Sequence, residues 1–217
     1  MKIEAVILDC DGTMFDSERI WWDLWYEVGA AENVVVSENF LIDITGASPQ
    51  KEASIQKKYP EILSIMPLVR EKGIQLFNRI IEEKVNIQKK GLHQLIDYLH
   101  NNKIKIAVVS NSSKAHVHGL IQTTDYAPLF DVIVCREDVT HGKPNPEGLL
   151  KAAAAMNVNK SNCLVIEDSK LGSLAAKNAD MHRIYIKDLV PKDEELESYI
   201  EFELSDLLEV ISFLEQQ

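Results

Sequence analysis

The sequence holds no stretch able to cross a membrane. Its longest apolar run is five residues, 152–156, against the roughly 20 that a spanning helix needs. The N-terminus has one lysine and then only Ala5 to Leu8 before Asp9, too short for the apolar centre of an export signal. Cysteine is scarce. Cys10, Cys135 and Cys163 are scattered along the chain, unlike the spacing of metal knuckles. Each abuts an apolar stretch, so three reduced, mostly buried thiols of a cytoplasmic protein are expected, none of them a nucleophile. Positive charge is short as well: 23 Lys and Arg against 34 Asp and Glu, a net charge of −11. Such a surface repels phosphate backbones and anionic lipid, which disfavours nucleic acid and membrane partners. There is no internal repeat and no low-complexity tract beyond a short alanine run. A monomer or weak oligomer is expected.

With 217 residues, 46% of them apolar and 26% charged, the chain has the composition of an ordinary globular protein. It has room for one domain with a large insertion, or for two small ones. Short β-branched and apolar runs at 3–8, 104–109, 132–135, 163–166 and 183–186 read as strands. Between them, 92–101, 113–123, 147–156 and 170–178 read as helices, and 204–214 as a last one. Buried apolar strands alternating with helices call for a parallel sheet with helices on both faces, an α/β fold. Residues 16–87 contain no comparable strand. Helical patterns at 18–28, 37–44, 49–58 and 68–85, the first closed by Gly29, make them a helical insertion after the first strand. The expected division is a core of 1–15 and 88–217 with an insertion of 16–87.

Ligands of open parallel sheets bind beyond the carboxyl ends of the strands. There the sequence places Asp9-Cys10-Asp11-Gly12-Thr13, Ser110-Asn111-Ser112, Gly142-Lys143-Pro144 and Glu167-Asp168-Ser169. Carboxylates crowded at one place are tolerated when a cation sits among them. Oxygen ligands without His or Cys suggest Mg²⁺, which takes few carboxylates and keeps waters or substrate phosphate as its other ligands. A lysine and a Ser/Asn pair opposite can hold phosphate oxygens. One carboxylate can attack phosphorus, and a second, two residues along, can protonate the leaving oxygen and later activate water. Each group also has a plainer use: Ser110 and Asn111 as helix caps, Lys143 as a surface lysine, and Glu167 and Asp168 as acids at a helix start.

These four segments resemble the four motifs of the haloacid dehalogenase superfamily, in the right order. The continuation Phe15-Asp16-Ser17-Glu18 resembles its branch of β-phosphoglucomutases and small-metabolite phosphatases. That branch carries an α-helical cap inserted in a Rossmann-like α/β core, here residues 16–87. The resemblance implies that Asp9 is the nucleophile and a Mg²⁺ ligand. It makes Asp11 the general acid/base, with its carbonyl as a further ligand. Asp168 completes the metal site, with Glu167 beside it directly or through water. Ser110, Asn111 and Lys143 hold the phosphoryl group. In the cap, Gly46, Ser48, Gln50, Lys51 and Trp21 are candidates for contact with the leaving group, a small phosphorylated metabolite such as a sugar phosphate.

Several neighbouring chemistries are disfavoured. Dehalogenases do without the second Asp and the metal cluster, and phosphonatases need a cap lysine, for which Lys51 is a candidate by rough position only. A sugar-phosphate mutase is the rival. Its pattern places a histidine near Trp21 and an arginine soon after the cap Gly-x-Ser, where Gly46-Ala47-Ser48 is followed by Pro49 and Gln50. Neither residue is present, and Lys51 does not replace a guanidinium clamp. A non-catalytic binding module would be expected to have lost one of Asp9, Asp11, Lys143 or Asp168. His116 and His118, two residues apart, do not share a helix face, so no metal role is expected of them. His141 is expected on a surface loop, with a place facing the site as the alternative; Trp21 and Trp25 are expected to pack inside the insertion, with lining of the substrate cleft as the alternative; and 192–195 is expected to be a solvated charged surface.

Overall fold

The computed structural model describes residues 2–47 and 49–217. Its centre is one sheet of six parallel strands: β1 (Ala5–Leu8), β2 (Lys105–Val109), β3 (Val132–Val134), β4 (Cys163–Glu167), β5 (His182–Ile186) and β6 (Phe202–Leu204). Their spatial order is β3-β2-β1-β4-β5-β6. The chain runs outward from β1 in one direction, then returns to lay β4 on the other side of β1. That reversal opens a crevice at the carboxyl ends of β1 and β4, where ligands of such sheets bind. The register brings Leu8 opposite Ile166 and Val108, so the residues that follow β1 and β4 leave the sheet side by side.

Side-chain alternation divides the core between the two faces. Val6 and Leu8 bury against helices α6 (Leu92–Asn101), α7 (Lys114–Gln122) and α11 (Leu207–Leu214). Ala5 and Ile7 face α8 (Glu147–Ala155) and α9 (Lys170–Ala179), whose alanines let those helices lie close. All four β1 residues are fully buried, which is why the segment reads as a continuous apolar run.

Between β1 and α6 lie five helices and no strand among the described residues: α1 (Ser17–Ala31), α2 (Glu38–Ile44), α3 (Pro49–Lys58), α4 (Pro60–Ser64) and α5 (Met66–Glu82). They have their own apolar cluster around Leu24, Trp25, Phe40 and Val69. Phe40 meets Trp25 at 4.8 Å and Tyr59 at 5.3 Å, both edge-on. Truncation of so buried an aromatic to alanine costs about 3–5 kcal/mol.

Four details differ from the sequence reading, the first being the additional short helix α4. Residues 202–204 form an edge strand, and the last helix starts at Leu207 behind Asp206, whose carboxylate accepts from the N–H groups of Leu208 and Glu209 at 2.9 and 3.2 Å. Gly29 does not end α1. It lies inside the helix, where a Cβ would meet Val36 at 2.6 Å and the Val34 carbonyl at 2.7 Å, so the glycine admits the returning chain. Residues 194–197 form a short additional helix, α10, capped by Asp193. No helix of the described residues is long and apolar enough to cross a membrane. The three cysteines are buried free thiols.

Candidate active site

Asp9 is the first residue beyond β1, and its N–H donates to the Ile166 carbonyl at 3.0 Å. Glu167 ends β4 and Asp168 follows it. Oxygens of Asp9, Glu167 and Asp168 all come within 4.8 Å of one another. Lys143, from the loop after β3, reaches between two of them: its Nζ bonds Asp9 Oδ1 and Glu167 Oε1, and its side chain is only 7% exposed. The lysine is held at its backbone by Asn111, which accepts from Lys143 N–H at 2.8 Å and donates to the Lys143 carbonyl at 3.2 Å. Gly142 permits that approach, since a Cβ there would sit 2.5 Å from Asn111 Oδ1. Asn111 therefore positions the lysine loop with its side chain. Ser110, at the end of β2, is buried beside it, and its hydroxyl accepts from Ser112 N–H at 3.0 Å.

Glu167 is 1% exposed at its side chain. One oxygen takes Lys143, while the other accepts from Ser169 N–H at 3.2 Å and Ser169 Oγ at 2.8 Å. Gly172 leaves space for this carboxylate, which a Cβ would overlap. Asp168 accepts from Thr13 Oγ1 at 2.7 Å through Oδ1. One lysine does not balance three carboxylates, two of them buried and the third half-buried. Burial, reinforced by the neighbouring acids, pushes Asp9 and Asp168 well above the usual carboxylate range, even with Lys143 pulling Asp9 down. An all-oxygen donor set with surplus negative charge fits a hard divalent cation, and Asp9, Asp168 and Glu167 are the side chains that could hold it.

Asp11 sits apart from that cluster and faces a cavity of about 470 Å³. Its Oδ1 accepts from Ser17 Oγ at 2.6 Å and lies 2.8 Å from His116 Nε2, while Oδ2 accepts from Ser112 Oγ at 2.7 Å. Burial raises its pKa, but these hydrogen bonds outweigh it and bring Asp11 down to about 2. Burial works against the charged form of His116, and the Asp11 carboxylate overcomes this, so its pKa lies above the ordinary value. His116 was expected to have no metal role, and its imidazole is committed to Asp11 here. Its link to the site spans the distance from α7 to the β1 loop, which no local spacing reveals.

Trp21, Phe77, Ile74 and Asn78 line the cavity from α1 and α5, with Glu18 below and Arg136 at the core side. Trp21 tilts against Phe77 at 5.3 Å, and Phe77 meets the His116 ring edge-on at 5.0 Å. Gly73 makes room, because a Cβ there would run into the Trp21 ring. The two tryptophans thus separate: Trp25 packs inside the helices and Trp21 faces the cavity. Burial, then the charges of Asp11 and Asp188, raise Glu18 to about 7, a residue that the motif resemblance includes but to which it gives no role. Gly46 and Lys51 are exposed and are not among the residues lining this cavity. Ser48 and the Gln50 side chain lie outside the described residues. His141 is on the surface, 68% exposed.

A family model for haloacid dehalogenase-like hydrolases matches residues 3–180, and the chain belongs to that family. It is 27% identical over 183 residues to a phosphorylated carbohydrates phosphatase of Thermotoga maritima, covering 84% of each chain. It is 27% identical over 208 residues to the validoxylamine A 7'-phosphate phosphatase of Streptomyces hygroscopicus, covering 95% of each. The fold is similar to the crystal structure of β-phosphoglucomutase from Clostridium difficile, with a TM-score of 0.74 at 20% identity, covering 99% of this chain and 96% of that one.

Proposed function

We propose that the protein is a Mg²⁺-dependent phosphomonoesterase acting on a small phosphorylated metabolite, such as a sugar phosphate, through an aspartyl-phosphate on Asp9. The observation that carries this reading is the convergence of Asp9, Lys143, Ser110 and Asp168 at adjoining strand ends, with Asp11, two residues beyond Asp9, on the wall of the neighbouring cavity. The two relatives above are a phosphorylated carbohydrates phosphatase and a validoxylamine A 7'-phosphate phosphatase, which supports the substrate class.

In this reading Asp9 attacks phosphorus with Oδ2, since Oδ1 is tied to Lys143. The P–O bond to the leaving group breaks as the Asp9–P bond forms. Lys143 and the Ser110 hydroxyl hold phosphoryl oxygens as charge moves onto them. Mg²⁺, when bound, supplies further neutralisation of the phosphoryl oxygens and of the acidic cluster. The proton for the leaving oxygen comes from His116 by way of the Asp11 carboxylate, and the Asp11–His116 pair then takes one back from the water that hydrolyses the acyl phosphate. Ser17, Ser112 and His116 fix the Asp11 orientation, and His116 is the proton-bearing group beside it. Glu167 orients Lys143 and completes the acidic wall. The helices of 16–87 act as a cap whose Trp21 and Phe77 exclude water and contact the leaving group.

Purified protein is assayed with Mg²⁺ against a panel of phosphorylated metabolites, with released phosphate and isomerised sugar phosphate both measured. Phosphate release that stops in excess chelator and returns with Mg²⁺ is expected. Full activity in chelator would remove the metal from the account. Isomerisation with little free phosphate would make the protein a mutase.

A further inference from the structure

Two residues beyond β5, Asp188 turns back beneath the acidic cluster. Its side chain is 5% exposed. One oxygen, Oδ1, accepts from Lys89 Nζ at 2.6 Å. The other, Oδ2, is buried and accepts no hydrogen bond from any described residue. A buried carboxylate oxygen left unpaired costs more than most single contacts return, so its direction matters. A Cβ built on Gly12 would lie 3.0 Å from Asp188 Oδ2 and would collide with the Asp168 carboxylate. The space a side chain would fill at Gly12, itself in the left-handed region at φ +81°, therefore borders both the free oxygen of Asp188 and the Asp168 carboxylate. The Tyr185 hydroxyl, on the same strand end, is likewise buried without a partner, and the charges of Asp168 and Asp188 both act on it.

Asp188 is not one of the three carboxylates whose oxygens lie within 4.8 Å of one another. It stands one layer out. We propose that Asp188 is an outer carboxylate of the divalent-cation site: its Oδ2 accepts a hydrogen bond from a water bound to the cation, and Lys89 sets how much of its charge the cation feels. The proposal rests on the cation reading of Asp9 and Asp168. Mg²⁺ suits the arrangement because it retains several waters when bound, and outer partners of this kind tune metal affinity about 10–100-fold.

The plainer use of Asp188 is to pin Lys89, whose N–H donates to the Met14 carbonyl at 2.9 Å where the helical segment returns to the core. The two uses predict different signs. As a pin, Asp188 and Lys89 are equivalent: either substitution lowers stability, and neither alters cation affinity. As an outer carboxylate, Asp188 strengthens cation binding and Lys89 opposes it. Binding of Mg²⁺ and of Mn²⁺ is measured by titration calorimetry on the wild type, Asp188→Asn, Lys89→Met and Asp168→Asn, with thermal melts in EDTA alongside. The expected result is binding about tenfold weaker in Asp188→Asn, unweakened in Lys89→Met and lost in Asp168→Asn. Wild-type affinity in Asp188→Asn, with binding lost in Asp168→Asn, overturns the proposal and leaves the cation reading standing. No binding by the wild type removes both. Should Asp188→Asn fold poorly, Lys89→Met decides alone: affinity equal to or above wild type supports the outer carboxylate, and weaker binding refutes it.

Discussion

Lys143→Met removes the charge at the centre of the site while keeping most of the side chain's length and volume. Lys143 is 7% exposed, and its partners Asp9 and Glu167 are 11% and 1% exposed at their side chains. Loss of one member of a buried ion pair leaves the rest uncompensated and costs about 3–5 kcal/mol. For a chain of this size, about 3 kcal/mol lowers the melting temperature by roughly 6–12 °C. The loss depends on pH. Burial already holds Asp9 above its usual pKa, with Glu167 and Asp11 adding to the effect and Lys143 opposing it. Without Lys143 the folded-state pKa rises further, while the unfolded chain titrates near 3.9. Between those values the unfolded state binds fewer protons than the folded state, so stability falls as pH rises. The deficit against wild type is thus smallest near pH 4 and largest near pH 8. Urea unfolding in EDTA, followed by tryptophan fluorescence at both pH values, reads it. Mg²⁺ is expected to return part of the loss, because it binds the folded state alone. A variant as stable as wild type at pH 8 in EDTA would refute the electrostatic account of the site.

Gly172→Ala places a methyl group on the Glu167 carboxylate, so the Lys143 clamp shifts and kcat is expected to fall about 10²-fold; unchanged kcat would show that Glu167 does not need its position. Gly73→Ala drives Trp21 toward the cavity and is expected to raise KM for a bulky phosphate ester while turnover of acetyl phosphate persists; equal effects on both would take Trp21 out of leaving-group contact. His116→Ala tests the Asp11 pair through stability. Asp11 is depressed to about 2, so its contribution is present above the unfolded value near 3.8 and lost as pH falls toward 2. His116 is raised, so its contribution is full below 6.5 and lost as pH rises through the folded value. The gap between wild type and variant is expected to peak from about pH 4 to 6.5 and shrink on either side. A gap constant from pH 3 to 9 would contradict the pairing.

The parallel sheet was legible because strands buried on both faces become unbroken apolar runs: Ala5–Leu8, 106–109 and 163–166 have hardly a polar residue. The acids at their ends stood out for the same reason, as charges that stop an apolar run. Residues 202–204 escaped notice because a three-residue edge strand, Phe-Glu-Leu, is half exposed and merges with the apolar pattern of the following helix. Gly29 misled because a glycine needed for a close chain return looks the same in sequence as one that ends a helix. His116 could not be found from local spacing. Its partner Asp11 lies on another element, and only the fold brings α7 beside the loop after β1. The parting of Trp21 from Trp25 has a similar origin: both point to one side of α1, but one meets Phe40 and the other Phe77. What no sequence pattern shows is that the Asn111 amide matches the backbone of Lys143, 32 residues away, in both donor and acceptor.

The central claim, that Asp9 takes the phosphoryl group, is tested most directly by acid-quenching the enzyme during turnover of its best phosphate ester. Mass spectrometry of the peptide that carries Asp9 then reads the intermediate. The account predicts a phosphoryl group on Asp9 in the wild type, and neither that adduct nor phosphate release in Asp9→Asn. Steady turnover by Asp9→Asn, or an adduct on another residue, would contradict it.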